Sequence, residues 1–243
     1  IDSQKMNGTV IVDVPMLSNG ELNYGLSHIK KKLYEENVYP SEIGFDIMSL
    51  ATMVYMADTR IERVVHGQDS WTREIELEIP VSNVEIWDSQ IRTVERMLKF
   101  LTGDLWKITL SSRAWQFNNL EEVREKSNKY DEVSLFSGGM DSLISTINLM
   151  ENKKNTLLIS HAGEGLTKNA QKNIVNKFDL LYPDVLHTWL DLWMVFPRDY
   201  IPAGGNDNNT RSRSFLFIGY ALFAMTGMDN INELLVPENG LIA

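Results

Sequence analysis

From residue 132 onward the chain alternates short apolar runs with longer segments of helical period, and this alternation limits the fold more than any other feature. EVSLFS (132–137), NTLLIS (155–160), DVLHTWLDLW (184–193) and ELLVPENG (233–240) read as strands. Residues 142–151, TKNAQKNIVNKFDLLY (167–182) and SFLFIGYALFAMTGM (214–228) read as the intervening helices. Strands separated by helices pair in parallel, and a parallel sheet buries both faces under those helices. The expected fold is α/β.

The preceding part has a different texture. TVIVDVPM (9–16) reads as a strand, and residues 45–65 place Phe45, Met48, Ala51, Met53 and Met56 at helical spacing, as a core face. SWTREIELEIPV (70–81) alternates, with Ile75, Leu77 and Ile79 on one face and Arg73, Glu74, Glu76 and Glu78 between or opposite them, as a half-buried strand with one wet face. Asn83 caps an expected helix over 84–101, Thr102-Gly103 ends it, and DLWKITL returns as a strand. Residues 1–118 are therefore expected to form a small α+β domain suited to binding a partner. Residues 119–130 are polar and read as a linker, and 131–243 form the α/β domain.

The chain has 33 acidic and 23 basic residues among 243, a formal charge of −10. That balance argues against nucleic acid as a partner, which needs a concentrated basic surface. No apolar run reaches the ~18–20 residues of a membrane span. Without a secretory pattern and with no cysteine, a cytoplasmic location is expected, and neither a disulfide nor a cysteine–zinc site is available. The chain starts without Met and stops in an apolar run, so it is expected to be a portion of a longer protein.

Chemistry concentrates where the first parallel strand turns into its helix: Phe136, Ser137, Gly138, Gly139, Met140, Asp141, Ser142. Such turns, at the carboxyl ends of parallel strands, are phosphate sites. Two glycines let the backbone approach an anion. The N–H groups of Met140, Asp141 and Ser142 open the helix, Ser137 and Ser142 add hydroxyls, and Asp141 caps the helix or helps to place Mg²⁺. The turn lacks the lysine of GxxxxGK[ST] and does not follow GxGxxG.

Arg211 and Arg213, beside a helix start, suit bidentate contacts to phosphate oxygens. Ser160 and His161 end the second parallel strand, and Glu238 follows the fourth at the same sheet end, placed to meet Mg²⁺ or a substrate. Lys168 and Lys172 read as an exposed helix face, His187 as a satisfied buried imidazole, and His28 and His66 as surface residues. Asp191 and Trp193, at the end of the third strand, are weaker candidates.

SGGMDS resembles the SGGxDS loop of the N-type (PP-loop) ATP pyrophosphatase superfamily, which includes 7-cyano-7-deazaguanine synthase (QueC), NAD synthetase, asparagine synthetase and tRNA-thiolating enzymes. NTRSRSFLFIGYALF (209–223) resembles the QueC-type R-N-x-x-F-L segment through Arg211, Phe215 and Leu216, with Ser212 in place of Asn. Together with SWTREIELEIPVS, FLTGDLW and LVPENGLIA it is similar to the QatC family of QueC-like proteins in Qat anti-phage systems. The resemblance covers roughly residue 45 to the end.

It implies a parallel-sheet PP-loop ATPase domain that binds ATP and Mg²⁺ and transfers the α-phosphate to a carboxylate, of a 7-deazaguanine-type base. Pyrophosphate leaves, and an amine then displaces AMP to form an amide or nitrile. Phe136 to Ser142, Ser160, His161, Arg211 and Arg213 would hold ATP, with Ser137, Asp141 and Arg211 catalytic. The amine is ammonia or belongs to a protein partner encoded in the same defence operon. The zinc-binding cysteines of QueC are missing. A tRNA-modifying PP-loop enzyme and a nucleotide-binding, non-catalytic scaffold of a defence complex stay open as alternatives.

Overall fold

Four strands pair in parallel in the second half of the chain. The computed structural model describes residues 3–6, 9–120, 128–161, 165–194, 196, 207 and 209–237. β7 (Glu132–Leu135) leads into α6 (Met140–Glu151), β8 (Thr156–His161), α7 (Gly165–Leu181), β9 (His187–Leu192), α8 (Arg213–Met225) and β10 (Leu234–Leu235). Their order is β10-β7-β8-β9. The chain steps outward from β7 to β9 and then returns to the other side of β7. The order of connection therefore reverses at β7, which makes its carboxyl end a switch point.

Side-chain alternation sorts the sheet's two faces. Phe136 and Leu158 pack with Leu143, Ile147, Ile174 and Phe178 of α6 and α7. Val133, Leu135, Leu157, Ile159, Leu190 and Leu192 face the other way and join the cluster of α8. Burial on both faces explains why these strands are almost uninterruptedly apolar.

The first half contributes two short hairpins, β1 (Ser3–Met6) with β2 (Thr9–Val12) and β3 (Leu17–Ser18) with β4 (Glu21–Leu22), and the helices α1 (Leu26–Glu35), α2 (Glu42–Arg60) and α3 (Arg63–His66). It continues with β5 (Glu74–Val81), α4 (Val84–Asp88), α5 (Ile91–Thr102) and β6 (Leu105–Ser112). β5 and β6 pair in parallel over their full length, so this part holds a βαβ unit of its own. The helix expected over 84–101 is two helices. Asn83 caps the first as expected, accepting from the Ile86 N–H at 3.2 Å, while the Ser89 hydroxyl donates to the Ile86 carbonyl at 3.0 Å and ends it.

α2 is buried on nearly every side, from Phe45 and Met48 to Asp58 and Thr59. A helix apolar all round belongs at a centre, and here it crosses α8. The crossing is close because small residues meet. A Cβ on Gly219 would lie 2.6 Å from the Ala51 Cβ, and one on Gly44 would lie 2.0 Å from the Thr226 hydroxyl. One apolar cluster takes in Ala51, Ile79 and Ile108 from the first half and Leu157, Leu190 and Tyr220 from the second. Residues 121–127 of the expected linker lie outside the described residues. Among the described residues no helix is long and apolar enough to cross a membrane.

Candidate functional site

The turn after β7 is held by its own serines. Gly138 has φ +81°, a conformation that L side chains rarely adopt. The Gly138 N–H donates to the Ser142 hydroxyl at 3.1 Å, which donates to the Gly139 carbonyl at 3.0 Å. The Ser137 hydroxyl lies 3.1 Å from that of Ser142 and accepts from the Gly139 N–H at 3.2 Å. Ser142 is 2% exposed, so it acts as the internal hub, whereas Ser137, Gly139 and Asp141 are exposed. From behind, the Gln171 amide donates to the Ser137 carbonyl at 3.0 Å.

The first intrahelical bond of α6 runs from the Leu143 N–H to the Gly139 carbonyl. The N–H groups of Met140, Asp141 and Ser142 come before it and have no acceptor among the described residues. They point out of the positive end of α6 at the sheet's switch point, with the Asp141 carboxylate in the first turn. That arrangement suits an anion, and one exposed carboxylate beside it suits Mg²⁺ shared with phosphate oxygens. Among the described residues no group of three or more His, Cys, Asp or Glu forms a metal cage.

Ser160 and His161 end the adjacent strand and point to opposite faces. Ser160 is buried and accepts from the Trp189 indole N–H at 2.7 Å. His161 lies on the α8 side, stacked on Tyr220 at 5.9 Å, with Phe217 and Tyr55 around it. Burial, helped by the Arg213 charge, lowers its pKa to about 4, so the ring is neutral. Its Nδ1 and the Tyr220 hydroxyl are buried without partners among the described residues.

The two arginines separate. Arg213 begins α8, and its charge acts on His161. Arg211 points toward the first half of the chain, donating to the Thr102 carbonyl at 2.7 Å with its guanidinium over the Trp71 ring. Beneath it is a buried ion cluster that the sequence reading missed. Arg63 meets Asp104 at 2.6 Å and Asp58 at 3.1 Å, Arg73 meets Asp58 at 2.6 Å, and Asp207 reaches Arg63 at 3.0 Å. Arg73 is 1% exposed; it stands just before β5, two residues ahead of the buried Ile75 and so in step with the inward side of that alternation. Burial alone would raise the Asp104 carboxyl, but hydrogen bonds from Arg73 and Arg63 outweigh it and hold the group below the usual carboxylate range. Asp58 also accepts from the Ser212 N–H at 3.1 Å and so anchors the start of α8.

A second grouping gathers at the carboxyl end of β9. Lys168 pairs with the Asp191 carboxylate, and Lys32 of α1 donates to the Asp191 carbonyl at 2.7 Å. His28 lies against Trp193 at 5.8 Å. Lys168 is exposed, as expected for its helix face, yet partnered, while His28, expected at the surface, is half-buried. His187 is satisfied, as expected, by the Val185 carbonyl at 2.8 Å and Asp179 at 2.9 Å. It lines a groove of about 470 Å³ at the amino end of β9, far along the strand from the turn. Glu238 lies outside the described residues.

The turn, the Ser160–His161 strand end, Arg213 and the Asp191 corner are thereby arrayed along one end of the sheet. Compared with protein-family models, with curated proteins and with solved structures, the chain finds no match.

Proposed function

We propose that the protein is an ATP-dependent, AMP-forming enzyme of the PP-loop kind, which activates a carboxylic acid as its adenylate and passes the acyl group to an amine. The observation carrying this reading is the turn from Ser137 to Ser142 at the sheet's switch point, with three helix-opening N–H groups that have no acceptor among the described residues. Those groups and the Ser137 hydroxyl would hold the β- and γ-phosphates as the departing pyrophosphate. Asp141 would hold Mg²⁺, which neutralises charge on the phosphate oxygens.

A γ-phosphate transferase would have different needs. No lysine lies in the turn to cradle the terminal phosphate, and the free donors cluster at one grip. The acid's carboxylate oxygen attacks the α-phosphorus, the bond to the bridging oxygen breaks, and pyrophosphate carries away the electron pair. The amine then attacks the acyl carbon and AMP leaves. Orientation and charge stabilisation suffice for both steps, so no side chain is required as a covalent nucleophile. By the sequence resemblance, the acid is a 7-deazaguanine-type base carboxylate, and the amine is ammonia or that of a partner protein in anti-phage defence.

The test is phosphorus NMR of ATP turnover in the presence of the base acid and ammonium. AMP with pyrophosphate is expected, lost in Asp141→Ala and Ser137→Ala. ADP with phosphate would overturn the reading.

A further inference from the structure

At the carboxyl end of β9 two ammoniums share one corner with the carboxylates of Asp191 and Glu35. Lys168 from α7 and Lys32 from α1 converge on one residue, Asp191, the first at its carboxylate and the second only at its main-chain carbonyl. Lys32 therefore sits half-buried against a neutral acceptor with a second ammonium nearby. Burial draws its pKa down, Asp191 and Glu35 oppose this, and the Lys168 charge pulls the same way as burial. His28, one turn earlier on α1, is lowered by burial and by Lys32. The other Asp191 oxygen, Oδ1, is buried and has no hydrogen-bond partner among the described residues, on a side chain 7% exposed. A buried carboxylate oxygen without a donor is costly, and a half-buried ammonium whose hydrogen bond goes to a carbonyl gains less than one bonded to a carboxylate.

One kind of ligand relieves both defects: an anion for the two ammoniums with an N–H donor beside it for Asp191 Oδ1. The indole of Trp193 supplies a flat wall next to His28. Asp191 pairs in register with Ser160, and Gln171, three residues after Lys168 on α7, holds the Ser137 carbonyl. The corner and the turn thus share one sheet end and one helix. We propose that Lys32, Lys168 and Asp191 form the subsite for the acid to be activated, and that they select a planar carboxylate carried on a ring that also bears an N–H. This rests on the acid-activating reading of the turn. Lys32 makes α1, in the first half of the chain, part of the substrate site.

The probes are pyrrole-2-carboxylate, which has both features, and furan-2-carboxylate, which keeps the carboxylate and lacks the N–H. Both are titrated into the intact protein by saturation-transfer NMR, with Mg–ATP binding measured in parallel by equilibrium dialysis. Pyrrole-2-carboxylate is expected to bind about tenfold more tightly than furan-2-carboxylate, the weight of one hydrogen bond to a buried charge. Lys32→Met is expected to weaken both about tenfold, and Asp191→Ala to erase the difference between them, in variants that melt as the wild type does. Equal binding of the two probes by the wild type, or unchanged binding in Lys32→Met, overturns the proposal. Protein that binds Mg–ATP and neither probe overturns it while the reading of the turn survives. Protein that binds the probes and not Mg–ATP keeps the acid subsite and refutes the nucleotide reading.

Discussion

His161 illustrates how one residue's role changes between sequence and fold. Its place at the end of β8 made it a candidate contact for nucleotide, yet its ring is stacked on Tyr220 and 7% exposed. Its folded pKa, about 4, lies below the ordinary value of 6.5, so the unfolded chain binds the proton first as pH falls. Stability from the neutral ring is complete above pH ~6.5 and is lost as pH drops toward ~4. Between pH 7 and 5 the loss is about 2 kcal/mol, and urea unfolding of the wild type against His161→Phe measures it as a difference in pH slope. The turn itself was legible because Ser137, Gly138, Gly139 and Ser142 interact with one another within a few residues of chain. The orientation of His161 was not, since it depends on an aromatic cluster drawn from α2 and α8.

At the scale of elements, the α2–α8 crossing sets how the two halves fit. Gly219→Ala would put a Cβ 2.6 Å from that of Ala51, a contact between rigid atoms that only backbone movement relieves. Overpacking of this kind costs about 1–3 kcal/mol. The expected result is a lower midpoint in thermal unfolding, largely restored in the double variant with Ala51→Gly. Sequence periodicity located both helices, because Phe45, Met48 and Ala51 in one and the apolar run after Ser214 in the other are strong signals. It did not show that they touch, or that β5 and β6 are parallel, since pairing partners far apart in sequence leave no local trace. The break between α4 and α5 rests on a single serine hydroxyl bonding back to Ile86, too small a signal to end a helix on paper.

Across the whole molecule, buried charge ties distant segments together. Asp58 in α2 holds Arg63, Arg73 and the Ser212 N–H that begins α8. Removing one partner leaves an uncompensated buried charge, so Asp58→Ala is expected to cost about 3–5 kcal/mol in denaturant unfolding. The exposed Lys107–Glu76 pair makes the contrast: Glu76→Gln is expected to shift stability by less than about 1 kcal/mol. Alternation separates the faces of Arg73 and Glu76, since Arg73 is in step with Ile75 and Glu76 is not, but the acidic partners of Arg73, Asp58 and Asp104, lie outside that stretch and leave no local trace. The same anchoring fixes the start of α8, and so Arg213, at the sheet end where the turn opens. Whether this turn grips pyrophosphate is read from amide NMR during titration with inorganic pyrophosphate and Mg²⁺. Saturable shifts concentrated at the N–H groups of Gly139, Met140, Asp141 and Ser142 are expected, with their loss in Asp141→Ala. Shifts that leave these four amides unmoved would contradict such a grip.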